Sequence, residues 1–146
     1  MKNIFCTTLL SLLILSVLGC SKDDKTFAPG ITAAQVNTII TEGSWKVTSY
    51  SATGIDETSS FSSFTFSFSP EGVLLAAGVR AKVGTWNSST DKGLVIIPVA
   101  FPSEINGPFE AITEDWSVLT CTNLKVELKH TSEDDGSIDL LSFEKM

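Results

Sequence analysis

From Ser44 to the C-terminus the chain alternates. In the clearest run Phe64, Phe66 and Phe68 fall on one face and Ser63, Thr65 and Ser67 on the other, the two-residue period of a strand with one face in a core. Later, Trp116 shares a face with Val118, and Leu124, Val126 and Leu128 oppose Lys125, Glu127 and Lys129. Val, Ile, Thr, Phe and Trp are frequent, and turn residues separate the short runs, which predicts about eight strands. They cover residues 44–50, 62–68, 73–79, 82–87, 94–101, 113–119, 124–130 and 138–143. No long helix separates them, so the fold class is all-β and the simplest topology is an antiparallel meander. An open meander leaves two exposed edges. Eight strands suffice to close it into a small barrel; a β-sandwich is the rival architecture. Pro98, inside the fifth run, has no N–H for a ladder, so that strand is expected to end, bulge or lie at an edge there.

The turns set further expectations. Ser69-Pro70-Glu71-Gly72 closes a hairpin that would put Phe68 beside Val73 and Phe66 beside Leu75 on one face. Connections in a meander alternate between two ends. One end would carry residues 51–61, the turn near Arg80, residues 102–112 and residues 131–137. These are the longer connections, so that end is expected to be an open mouth. A helix over residues 31–43 precedes the first strand and would plug the other end. Thr32 and Gln35 have capping-box spacing, Ile31 and Val36 fit a hydrophobic staple, and Val36, Ile39 and Ile40 form one stripe. Gly43 suits the left-handed position after a helix.

Ahead of the helix, Lys2, an uncharged run from Ile4 to Leu18, and Gly19 read as a secretory signal peptide over residues 1–19. A transmembrane anchor is the alternative, but a span needs about 20 apolar residues. Residues 20–30 are mostly polar and end in Pro29-Gly30, the composition of a flexible tether. Without residues 1–19 the chain has 9 basic and 17 acidic residues, a net charge of −8. That balance disfavours nucleic acid, whose phosphates need Lys and Arg. It also disfavours docking on anionic lipid through the protein surface. Residues 31–146 have the length of one domain.

Of the three cysteines, Cys6 lies in the signal peptide and Cys121 then has no partner for an intramolecular disulfide. Leu18-Gly19-Cys20 resembles the end of the lipobox of bacterial lipoproteins. The resemblance implies cleavage before Cys20 and lipid on that residue, anchoring the chain to the outer membrane. Lys22-Asp23-Asp24 is similar to the surface-export signal of Bacteroidetes lipoproteins, which implies exposure at the cell surface. A helix followed by Gly43-Ser44-Trp45, with Gly84-Thr85-Trp86 and a late strand around Trp116, resembles lipocalin-like domains. In lipocalins an Arg near the last strand packs on the Trp of the first; this chain offers Lys145 there.

The candidate site residues are aromatic. Phe64, Phe66, Trp86 and Trp116 would line a cavity for an apolar or amphipathic molecule, or else fill the barrel as core. Phe101, Ile105, Pro108 and Phe109 belong to or flank a long connection, with Phe109 the candidate contact; the alternative is a loop folded onto its own barrel. Glu133-Asp134-Asp135-Gly136 lacks the ligand spacing of a calcium loop and reads as a solvated turn. Glu114 and Asp115 are adjacent in a strand and face opposite ways. His130 is the only histidine, and no nucleophile elbow, HExxH, Walker or dinucleotide signature accompanies it. No cofactor, metal or enzyme activity is expected. Two functions follow: an envelope lipoprotein that binds a small apolar ligand in its barrel, or a filled-core structural or protein- and glycan-contacting module.

Overall fold

The computed structural model describes residues 30–103 and 107–146. The signal peptide, Cys20, the tether up to residue 29 and Ile105 lie outside the described residues. The described residues fold into one short α-helix, α1 (Ala33–Ile40), and ten strands. These are β1 (Trp45–Ala52), β2 (Ile55–Asp56), β3 (Thr65–Phe68), β4 (Val73–Ala77), β5 (Lys82–Trp86), β6 (Ser89–Asp91), β7 (Leu94–Ala100), β8 (Asp115–Cys121), β9 (Lys125–Thr131) and β10 (Ile138–Lys145). Eight of them form a closed antiparallel barrel in the order β1-β3-β4-β5-β7-β8-β9-β10. Closure comes from β10 returning to β1, with pairs from Trp45↔Lys145 to Ser51↔Leu140. The expected all-β barrel with a preceding helix is therefore the fold. The small β2 and β6 are additions to it, pairing with β1 and β7.

The capping box forms as its spacing predicts. Gln35 N donates to Thr32 Oγ1 at 3.3 Å, and Thr32 N donates to Gln35 Oε1 at 2.9 Å. Val36, Ile39 and Ile40 face inward from α1 and are buried. Trp45 Nε1 then donates to the Ile40 carbonyl at 2.8 Å, which locks the helix under the barrel. This end is plugged as expected.

Three local expectations fail, each for a physical reason. The β3–β4 hairpin pairs Phe68 with Leu74 and Phe66 with Ala76, not with Val73 and Leu75. Ser69 N donates to the Val73 carbonyl and Gly72, at φ +84°, is an extra residue in the turn, a glycine bulge that moves the register by one. Val73 and Leu75 consequently face solvent. The expected open mouth is covered, as described below. Leu124 does not share the buried face of Val126 and Leu128; it lies in the turn before β9 and is exposed.

Bulges also change which residues enter the core. Between Val47 and Ser49 the β1–β10 register slips, so Tyr50 points inward instead of Ser49. Between Val118 and Thr120 the β8–β9 register slips as well. Leu119 turns out and Cys121 turns in. Pro98 neither ends nor kinks β7 out of the sheet. On one side β7 pairs with β6 through residues 94–96 and with β5 through residues 99–100, and Pro98 sits where the partner changes.

Gly84 marks the closest approach of two strands. A Cβ there would lie 2.5 Å from the Ala100 carbonyl oxygen and 2.8 Å from the Phe101 ring. Gly84→Ala is expected to destabilise the barrel by about 1–3 kcal/mol through overpacking, read as a lower urea midpoint with an unchanged slope.

Candidate functional site

The end of the barrel opposite α1 is closed by two connections. The segment between β2 and β3 contains a 3₁₀ turn, Thr58–Phe61. Asp56 Oδ1 accepts from Thr58 N at 2.9 Å and Oγ1 at 2.6 Å, and these bonds hold its carboxyl below the usual range. Tyr50 N donates to Thr58 Oγ1 at 2.8 Å, tying the turn to β1. Phe61 is thereby carried into the core, where it is fully buried.

The second connection joins β7 to β8. Three side chains bind its backbone carbonyls. Thr113 Oγ1 donates to Phe109 O at 2.8 Å, Tyr50 Oη to Ala111 O at 3.0 Å, and Trp116 Nε1 to Ile112 O at 3.1 Å. Residues 109–112 are thus pulled down into the barrel end, and Phe109 and Ile112 become 2% and 1% exposed. Phe109 meets Phe61 at 5.8 Å, Phe64 at 4.9 Å and Phe101 at 4.7 Å between ring centroids, all edge to face. Such pairs add about 0.5–1.5 kcal/mol each beyond area burial. Phe64 lies over Gly78, whose absent Cβ would come 2.7 Å from its ring, so the ring fills the space beside that glycine.

The candidate residues are therefore divided. Phe64, Phe66 and Phe109 come together, with Phe66 6.3 Å from Phe109. Trp86 is near the helix end, edge to face with Phe68 at 5.3 Å, its Nε1 donating to Ser69 O at 3.0 Å. Trp116 is fully buried and packs at 6.0 Å against the His130 ring. Phe61 and Tyr50 were not legible as members of this cluster: Phe61 sits in a polar loop and Tyr50 enters only through the β1 bulge. Among the described residues no buried side-chain nitrogen or oxygen lacks a partner. The interior presents carbon and already satisfied polar atoms.

Recesses open outward. One of about 240 Å³ lies at the covered end beside Val83, Phe101 and Phe109. Another, about 260 Å³, lies between α1 and Trp86. A wider open groove of about 830 Å³ runs along the outside of β7, β8 and β9. Glu114, Asp115, Glu133 and Asp134 line it with His130. His130 Nδ1 donates to Asp115 O at 3.2 Å, and Nε2 lies 3.6 Å from Glu114. The 132–137 turn is bonded to itself: Asp135 Oδ1 accepts from Ser137 N at 2.9 Å, which lowers the Asp135 carboxyl. Among the described residues no three His, Cys, Asp or Glu side chains are grouped to hold a metal.

Compared with known proteins, the chain matches no family model, no curated protein and no solved structure.

Two buried groups give a pH signature. Burial pushes the Cys121 thiol up to about 12. Burial, then the charges of Asp139, Glu57 and Glu114, push Tyr50 up to about 12. The folded state holds both protons more tightly than the unfolded chain. Their stabilisation is complete below the unfolded values and is lost as pH rises through the folded ones. Unfolding free energy is expected to fall between about pH 9 and 12, and to fall less steeply in Cys121→Ala; urea titrations at stepped pH measure both.

Proposed function

We propose that this chain is a cell-envelope lipoprotein, anchored to the outer membrane through lipid on Cys20, whose filled barrel works through its outer surface. The anchor rests on the signal-peptide pattern and on Leu18-Gly19-Cys20. The surface role rests on one observation: both barrel ends are plugged by the chain itself, and the polar atoms of Tyr50, Trp45, Trp86 and Trp116 are spent on backbone carbonyls. A ligand pocket of ordinary size encloses about 300–1,000 Å³ and keeps a few polar groups for its guest. The recess beside Phe109 is smaller, about 240 Å³, and opens to solvent.

That same recess supports a second reading, in which a small apolar molecule wedges between Phe101 and Phe109. Native mass spectra of the full chain isolated from its host separate the two. The surface reading expects the mass of the lipidated chain alone. A reproducible added mass, released by organic solvent, would favour the ligand-binding barrel. For the anchor, Cys20→Ala is expected to abolish fatty-acid labelling and membrane retention; retention unchanged would refute it.

A further inference from the structure

Every second residue of β3, β4, β5 and β7 points away from the core, and none of these outward positions is charged, but Ile96, Pro98 and Ala100 of β7 line the acidic groove and Leu94 pairs with Asp91. Cross-strand pairing sets them in rows, with Ser67, Leu75 and Val83 in one and Val73, Thr85 and Ala100 in the next. Leu75 is 36% and Val83 57% exposed. The outward positions of the other four barrel strands include Lys46, Asp115, Lys125, Glu127, Lys129 and Glu144. The barrel wall thus has a charged half, which takes in the acidic groove beside β7, and an uncharged, partly apolar half over β3, β4 and β5. A contiguous exposed patch of the second kind marks a contact surface.

The position of the helix says which half faces the tether. At the start of α1, Ser88 Oγ donates to Ala33 O at 3.3 Å and to Asn37 Oδ1 at 2.6 Å. This fixes the first turns beside the loop that leaves β5. After the helix, Glu42 lies 3.7 Å from Lys145 on β10. The helix therefore crosses the barrel end from the uncharged half to the charged half, and the chain that leads back to Cys20 leaves on the uncharged side. The ten residues from Cys20 to Pro29 reach at most about 35 Å when fully extended.

We propose that the uncharged β3–β4–β5 face lies on the lipid bilayer, so that the anchored barrel rests side-on against the membrane. This rests on the Cys20 anchor proposed above. The occupant is a lipid surface because of charge and reach. At a net charge of −8 without residues 1–19, the chain is repelled by anionic lipid, and the uncharged half approaches with the least repulsion. The short tether keeps that half at high effective concentration near the bilayer. A modest apolar area then suffices, with Leu75 and Val83 entering the headgroup boundary.

The test uses the full lipidated chain in vesicles of phosphatidylethanolamine and phosphatidylglycerol. Val83→Cys and Lys129→Cys are made separately and labelled with a fluorophore; Cys121 is fully buried and does not compete. Lipids carrying headgroup nitroxides serve as quenchers. The expected result is co-flotation of both variants, with the Val83 probe quenched several-fold more than the Lys129 probe. Adding Leu75→Glu to the Val83→Cys chain should remove that excess while flotation persists. Equal quenching of the two probes in chains that float would overturn the proposal and leave the anchor standing. So would probe–probe contact between Val83 sites without lipid quenching, which would place a second copy on the face. Chains that fail to float would remove the anchor and the side-on contact together.

Discussion

The barrel depends on the return of its last strand to its first. Trp45 opens β1 and pairs with Lys145 near the end of β10. The indole is fully buried, its Nε1 bound to the last residue of the helix, and Lys145 Nζ lies 5.7 Å from the ring centroid. Lys145 also reaches Glu42, which follows the helix. One residue pair therefore joins first strand, last strand and plug. Without the β1–β10 pairing the sheet would keep two open edges, each a template for pairing with another chain. Lys145 stands over the indole. The ammonium attracts the ring face as a cation but lacks the planar stacking of a guanidinium.

Closure creates an interior, and the chain fills it with its own side chains. The connection after β7 is decisive, because a loop is ordinarily kept at the surface by its backbone polar groups. Here the carbonyls of Phe109, Ala111 and Ile112 find hydroxyl and indole donors inside the barrel, so the backbone enters without an unpaired acceptor. Burying Phe109 then contributes about 1.5–3 kcal/mol. Trp and Tyr serve two purposes, supplying apolar volume and the single donor that a folded-in carbonyl needs. The same economy leaves the interior with no spare donor for a guest. The function proposed above is accordingly placed on the outside of the barrel, where charge is unevenly divided.

Much of this is legible in the sequence alone. Alternation located all eight barrel strands, and the Thr32–Gln35 spacing located the start of the helix. Register was less legible, because it turned on single residues: Gly72 lengthens one hairpin, and bulges at β1 and β8 exchange Ser49 for Tyr50 and bring Cys121 inside. A strict two-residue period cannot foresee a bulge, since the bulge is what breaks it. The mouth was the least legible part. Phe61 and Phe109 lie in segments rich in Ser, Gly and Pro, and their burial turns on partners outside those segments such as Tyr50, whose ring meets Phe61 and whose hydroxyl holds the Ala111 carbonyl. The aromatic candidates were correctly placed on the inner face where the strands carried them, but only Phe64, Phe66 and Phe109 converge.

The most direct test of a filled interior is solvent exchange of the three indole Nε1 protons, followed by NMR in heavy water. The account predicts slow exchange at Trp45 and Trp116, both fully buried, and retarded exchange at Trp86, whose donor is also engaged. Trp45 should exchange only with global unfolding, because its bond joins the helix to the barrel closure. Immediate exchange at Trp116 in the folded protein would contradict the account, since it would mean that water reaches the interior and that the segment around Phe109 does not seal it.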